Sequence, residues 1–158
     1  MKMEESASAV TQEVISGFES MIGAFLPQDF KNFILECNGG RPEDDWCFDF
    51  VETGDFDHTS SVLNEFLSFS DEYEGLQNAY INLVEAGEIP PGLVPIATDP
   101  GGNDVFLSVS TSDYGKICFG NHELEDPDTG YIVMSPVANS FSEFLDALYI
   151  DDSLDDDD

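Results

Sequence analysis

Charge limits what this chain can fold into more than any motif does: 34 aspartates and glutamates stand against 4 lysines and arginines, a formal net charge of -30 over 158 residues. Like charges repel in a compact state, so apolar burial has to outweigh that repulsion. The material for it is present, since 41% of the residues are hydrophobic and 12% aromatic, and a chain of this length buries a self-sufficient core. One domain is the expectation. The same surface repels nucleic acid and anionic membranes and attracts cations, raising encounter rates about 10- to 1000-fold at low salt. A basic protein is the natural partner. A second reading stands beside it, in which the charge is adaptation to a salt-rich host and needs no partner.

Cys37, Cys47 and Cys118 are odd in number and form no C-x-x-C pair, so they suggest neither a disulfide framework nor a thiolate zinc site, and they fit a reducing cytoplasm. The opening Met1-Lys2-Met3-Glu4-Glu5 lacks the basic-then-apolar order of a signal peptide, and no stretch is apolar for long enough to span a bilayer. A cytoplasmic protein is expected.

Residues 1–9 read as a flexible N-terminus. From Val10, the residues Val14, Ile15, Phe18, Met21, Ile22 and Phe25 recur at three- and four-residue steps, the stripe of an amphipathic helix that Leu26-Pro27 breaks. Pro27 opens a second helix with Phe30, Phe33, Ile34 and Cys37 on one face, and Asn38-Gly39-Gly40 stops it. Trp46 to Val51 reads as a strand with Trp46, Phe48 and Phe50 on one side. Ser61 to Phe69 suits a short helix or a strand. Leu76, Ala79, Tyr80, Leu83 and Val84 mark a helix ended at Gly87. Four short runs follow, Leu93 to Ala97, Asp104 to Val109, Lys116 to Gly120 and Tyr131 to Met134, separated by turn clusters that imply an antiparallel meander. Ser140 and Glu143 stand at capping-box spacing before a closing helix with Phe141, Phe144, Leu145 and Leu148 inward. Residues 151–158 read as a disordered acidic tail. The expectation is a single α+β domain over 10–150, a mainly antiparallel twisted sheet flanked by helices.

The ordered set Leu26-Pro27, Phe30, Phe33-Ile34, Asn38-Gly39-Gly40, Ile89-Pro90, Pro95-Ile96-Ala97 and Asp99 with Gly101-Gly102-Asn103 continues through Phe106-Leu107, Gly115-Lys116-Ile117, Asn121-His122-Glu123, Ala138, Ser140-Phe141 and Phe144-Leu145. It resembles the SUKH superfamily, the Smi/Knr-type domain, from about Phe18 to Leu148. The resemblance implies an α+β fold and, as in most bacterial members, an immunity protein that binds and neutralises a toxin domain, often a nuclease. Eukaryotic members resemble scaffolding or signalling proteins, and the family is not known for catalysis. The acidic tail and the extreme charge depart from what the fold requires.

Candidate chemistry is sparse. His122 beside Glu123 has no assignable nucleophile or orienting partner, so a structural role outweighs general-base work. His58, near Asp55 and Asp57, is one imidazole in an acidic loop, too little for a metal site. Asp126-Pro127-Asp128-Thr129-Gly130 resembles the start of a calcium loop, but its glycine is one position early and the distal glutamate is missing. Gly101-Gly102 lacks the helix and Lys-Ser/Thr of a phosphate cradle, and a hairpin turn suffices. No catalytic residue, cofactor or metal is expected.

The candidates are instead partner-binding: Glu43, Asp44 and Asp45 beside Trp46, and the acidic loops at Asp55 and Asp57, Asp71 and Glu72, and Asp126 and Asp128. An exposed aromatic among carboxylates has the composition of a hot spot for Arg- or Lys-rich surfaces. A buried Trp46 with merely solvating acids is the alternative. The functional expectation is an immunity protein that neutralises a basic toxin domain, a nuclease in particular. Its rival is an intracellular scaffold that recruits signalling partners through the same domain.

Overall fold

A computed structural model of the chain describes residues 1–51, 58–70 and 75–151. In chain order the elements are β1 (Met3–Glu4), α1 (Gln12–Ile22), α2 (Gln28–Glu36), β2 (Arg41–Pro42), β3 (Trp46–Val51), β4 (His58–Val62) and β5 (Glu65–Phe66). They continue as α3 (Leu76–Glu85), β6 (Leu93–Thr98), β7 (Asp104–Ser108), β8 (Ile117–Glu125), β9 (Ile132–Ala138), α4 (Phe141–Ala147) and β10 (Tyr149–Ile150). The fold is α+β in a single domain, as expected. Among the described residues the strands divide into three antiparallel sheets: β1-β2, β10-β3-β4 and β5-β6-β7-β8-β9.

Local chemistry explains most boundaries. The Thr11 hydroxyl caps α1 by accepting from Val14 N, and Gly23 closes it in the left-handed region at φ 71°. That ending comes three residues before Leu26 and corrects the expected stripe. Phe25 is 75% exposed and Met21 51%, while Leu26, at 2%, takes the core position. In α2, Pro27 stands at the N-cap, one position before the first helical residue and without a side-chain cap, and Phe30 and Ile34 are buried. This helix ends on an extended Cys37, and the left-handed glycines follow at Gly39 and Gly40. A Cβ on Gly39 would lie 2.8 Å from Phe66 O, so the turn passes against β5 where only glycine fits.

The ambiguous stretch 61–69 contains the end of β4 and all of β5, and β8 and β9 run further than their apolar cores suggest. Three two-residue strands, β1, β2 and β10, carry no periodicity and were not legible in the sequence. The first nine residues, expected as a flexible lead, supply β1, and Ala7 N donates to Asn38 O. Buried Asn38 then gathers three segments: its amide donates to Ser8 O and Phe69 O, and Phe69 N donates to its Oδ1.

The core is aromatic. Phe141, at the start of α4, meets Phe30 and Phe33 of α2 at ring-centroid distances of 5.1 Å each, and Phe66 and Phe144 lie at 6.3 Å. Phe48 of β3 bridges Phe119 of β8 and Phe144 of α4. The Ser140 hydroxyl accepts from Glu143 N, so the expected cap fixes where α4 begins and which way Phe141 points.

Truncating Phe141 to alanine should lower stability by about 3–5 kcal/mol in urea unfolding. Phe25→Ala, although Phe25 belongs to the same sequence pattern as Phe18, should change stability by less than about 0.5 kcal/mol because its ring is already in water. Equal losses for the two would contradict the α1 boundary.

Candidate functional site

The turn between β2 and β3 carries the strongest of the sequence candidates. Glu43, Asp44 and Asp45 are exposed. Main-chain bonds hold the turn: Glu43 N donates to Lys2 O, Trp46 N to Asp44 O, and Leu63 N to Trp46 O. Three carboxylates are therefore displayed on backbone that is fixed at both ends. Trp46 falls between the two readings of the sequence, because its ring is half-buried and packs against the core. Its Nε1–H is buried and has no hydrogen-bond acceptor among the described residues. Beside the ring runs a groove of about 580 Å³ bounded by Met1, Met3, Phe33, Trp46 and Leu145, with Glu36 at its rim.

Asp126 and Asp128 sit in the hairpin turn between β8 and β9. Asp126 Oδ1 accepts from Asp128 N, Gly130 N donates to Asp126 O, and Gly130 has φ 78°. The carboxylate of Asp126 is thus spent on the turn, and Asp128 is exposed. Asp55, Asp57, Asp71 and Glu72 lie outside the described residues, as does the side chain of His58. Among the described residues no group of three or more His, Cys, Asp or Glu is placed to hold a metal ion. No helix among them is long and apolar enough to cross a membrane.

The sequence reading passed over a polar network at the β6–β7 turn. Asp99 is buried, and its Oδ1 accepts from Gly101 N and Asn103 N while its Oδ2 accepts from Ser61 Oγ at 2.8 Å and from Asn103 Nδ2. Asn103 Oδ1 in turn accepts from His122 N and is bonded to His122 Nδ1. The imidazole is thereby held by an amide. The available signal was the spacing of Asp99, Gly101 and Asn103, since an aspartate that accepts from amides two and four residues on builds its own turn.

Asp104 stands next to this network, and its carboxyl is pushed up from 3.8 to about 6 by burial and by the charges of Asp99 and Glu88, against the pull of His122. Burial, then Asp113, pushes the Cys118 thiol up to about 12, and burial also raises Cys47, so neither forms a thiolate near neutral pH. Tyr149 donates to Asp49 Oδ1 at 2.6 Å, and that bond, with burial, takes its hydroxyl up to about 12. The Tyr149–Asp49 bond joins β10 to β3.

An exposed aromatic pair also escaped the sequence reading. Tyr114 is 49% exposed, and its hydroxyl donates at 2.7 Å to the carbonyl of Phe25. Beneath it, buried Glu19 accepts from Leu26 N and pairs with Lys31 Nζ at 3.3 Å. This corner follows from the early end of α1, which periodicity alone does not reveal.

Comparison with known proteins gives two findings. The SMI1 / KNR4 family (SUKH-1) model matches residues 9–147. The chain is similar to the SPbeta prophage-derived uncharacterized protein YokK of Bacillus subtilis (strain 168), at 31% identity over 151 residues, covering 87% of this chain and 74% of the relative.

The raised carboxyl of Asp104 makes a prediction with a definite sign. A carboxyl that holds its proton more tightly when folded costs stability as pH rises from the unfolded value, 3.8, through the folded value of about 6. Asp104→Asn should therefore stabilise the protein at pH 7.5 by about 2 kcal/mol, with the gain fading toward pH 4. Urea unfolding of both proteins across that range measures the difference. A gain independent of pH would mean that Asp104 is not strained by its charge.

Proposed function

The chain belongs to the SMI1 / KNR4 family (SUKH-1), and from that premise we propose that it is an immunity protein that binds and neutralises a basic toxin domain, a nuclease in particular. The observation that carries the reading is the turn of Glu43, Asp44 and Asp45, fixed by main-chain bonds beside half-buried Trp46, on a chain of net charge -30. Carboxylates so placed mimic the phosphates that a nuclease surface holds, and they would cover that surface without being substrates. Coulomb attraction speeds the encounter, and desolvated aromatic contacts slow dissociation. Asp128 extends the acidic face at a second turn, and we assign Asp126, Asp55, Asp57, Asp71 and Glu72 to the same long-range field. In this reading residues 10–150 are the binding domain, the acidic stretch 151–158 adds attraction at a distance, and the protein acts in the cytoplasm by occlusion rather than by catalysis. The prophage-derived label of the Bacillus relative fits a mobile defence gene.

The test is calorimetric titration and stopped-flow association with a basic toxin-like domain sought among the neighbouring genes, at about 0.05 M and 0.5 M salt, together with co-expression. One-to-one binding, an association rate at least about 10-fold slower at the higher salt, and rescue of growth are expected. No binding and no rescue would remove the immunity reading and leave the scaffold reading, with the charge counted as adaptation.

A further inference from the structure

We propose that the groove beside Trp46 is the seat for an apolar side chain from a basic segment of the protein partner, with an adjacent arginine or lysine of that segment paired to Glu36. This rests on the protein-binding reading and names the contact on which it would turn.

The groove is bounded by Phe33 of α2, Trp46 of β3, Leu145 of α4 and the two methionines of the N-terminal segment. The methionine wall is anchored. Ser6 Oγ donates to Gly39 O at 2.9 Å, Ala7 N donates to Asn38 O, and Lys2 O accepts from Glu43 N. The thioether side chains nonetheless adapt to the shape of what enters. Phe33, Trp46 and Leu145 are half-buried and Met1 is 52% exposed, so apolar surface faces water here beside the carboxylates of Glu36 and the β2–β3 turn.

Charge selects the occupant. The walls and the flanking β1 and β2–β3 turn carry Glu4, Glu5, Glu36, Glu43, Asp44 and Asp45 against Lys2 and Arg41. A second copy of this chain brings its own net charge of -30 and is repelled, as are anionic lipid headgroups. A cationic polypeptide with an apolar side chain satisfies both the rim and the floor.

Trp46 is the chain's single tryptophan, so replacing it with 5-fluorotryptophan gives one fluorine resonance that reports on the groove alone. The first probe is the basic toxin-like domain, unlabelled. Its binding should shift or broaden that resonance, and Trp46→Phe and Glu36→Lys should each weaken the affinity about 10-fold in calorimetry while thermal unfolding confirms that both variants fold. The second probe needs no cognate toxin. A peptide of alternating leucine and arginine should perturb the resonance in wild type and far less in Glu36→Lys, and its leucine–glutamate counterpart should not perturb it.

Calorimetric binding of the toxin-like domain with an unmoved resonance and unweakened variants would overturn the groove and leave the immunity reading standing. A toxin-like domain that fails to bind, with the arginine peptide still acting through Glu36, would overturn that reading and keep the groove. Silence toward both probes would reject the groove. Sedimentation showing a dimer that shifts the resonance would assign it to a second copy instead.

Discussion

Countercharge is what this chain lacks, and its structure depends on how the carboxylates at its corners, buried Glu19 and Asp99 among them, are satisfied without it. Among the described residues the ion pair is Glu19 with Lys31, and even there Glu19 also accepts from Leu26 N. Elsewhere the donors are neutral. Asp29 accepts from Phe30 N and from both the amide and the hydroxyl of Ser142, which joins the start of α2 to α4. Asp99 collects two amides, one carboxamide and the Ser61 hydroxyl. Asp113 takes the Ser108 hydroxyl at 2.6 Å, and Asp49 takes Tyr149. Hydrogen bonds to an ionised acceptor are roughly twice as strong as neutral ones, so the acids that repel one another across the surface also fix the corners of the fold.

Those corners let the aromatic core act as a frame. The rings of Phe30, Phe33, Phe66, Phe141 and Phe144 bring α2, α4 and β5 together, and burial of that area has to exceed the electrostatic cost of compaction. Asn38 ties the N-terminal segment, the end of α2 and the approach to α3 into one knot of three hydrogen bonds. The β2–β3 turn is held by the same N-terminal segment, which is why carboxylates that would be mobile on a free loop are presented on fixed backbone. Binding groups carried on a rigid scaffold lose less entropy on association.

The helices and the long strands were legible because periodicity, caps and turn residues act locally. Thr11, Pro27, Gly87 and the Ser140–Glu143 pair each bracket an element through contacts within a few residues. The α1 stripe misled at its end, since Met21 is exposed in the last turn and Phe25 keeps the helical spacing after Gly23 has already turned the chain. The short strands β1, β2 and β10 exist only because distant partners meet them, and two residues carry no period to read. Of the candidate site, the acidic composition of the β2–β3 turn was legible. The groove that Trp46 shares with Met1, Phe33 and Leu145 was not, because its walls come from four separate stretches of chain.

The sequence by itself determined the α+β class, the family resemblance and the chain's own net charge of -30. Each follows from residue type and local spacing, which the chain carries with it before it folds. Tertiary structure alone decided that Asp99 holds Asn103 and Asn103 holds His122, that burial raises Asp104, and that Trp46 stands half-buried with its indole N–H unpaired among the described residues. Burial and proximity between residues far apart in sequence are properties of packing, and packing is settled only when all the elements have found one another.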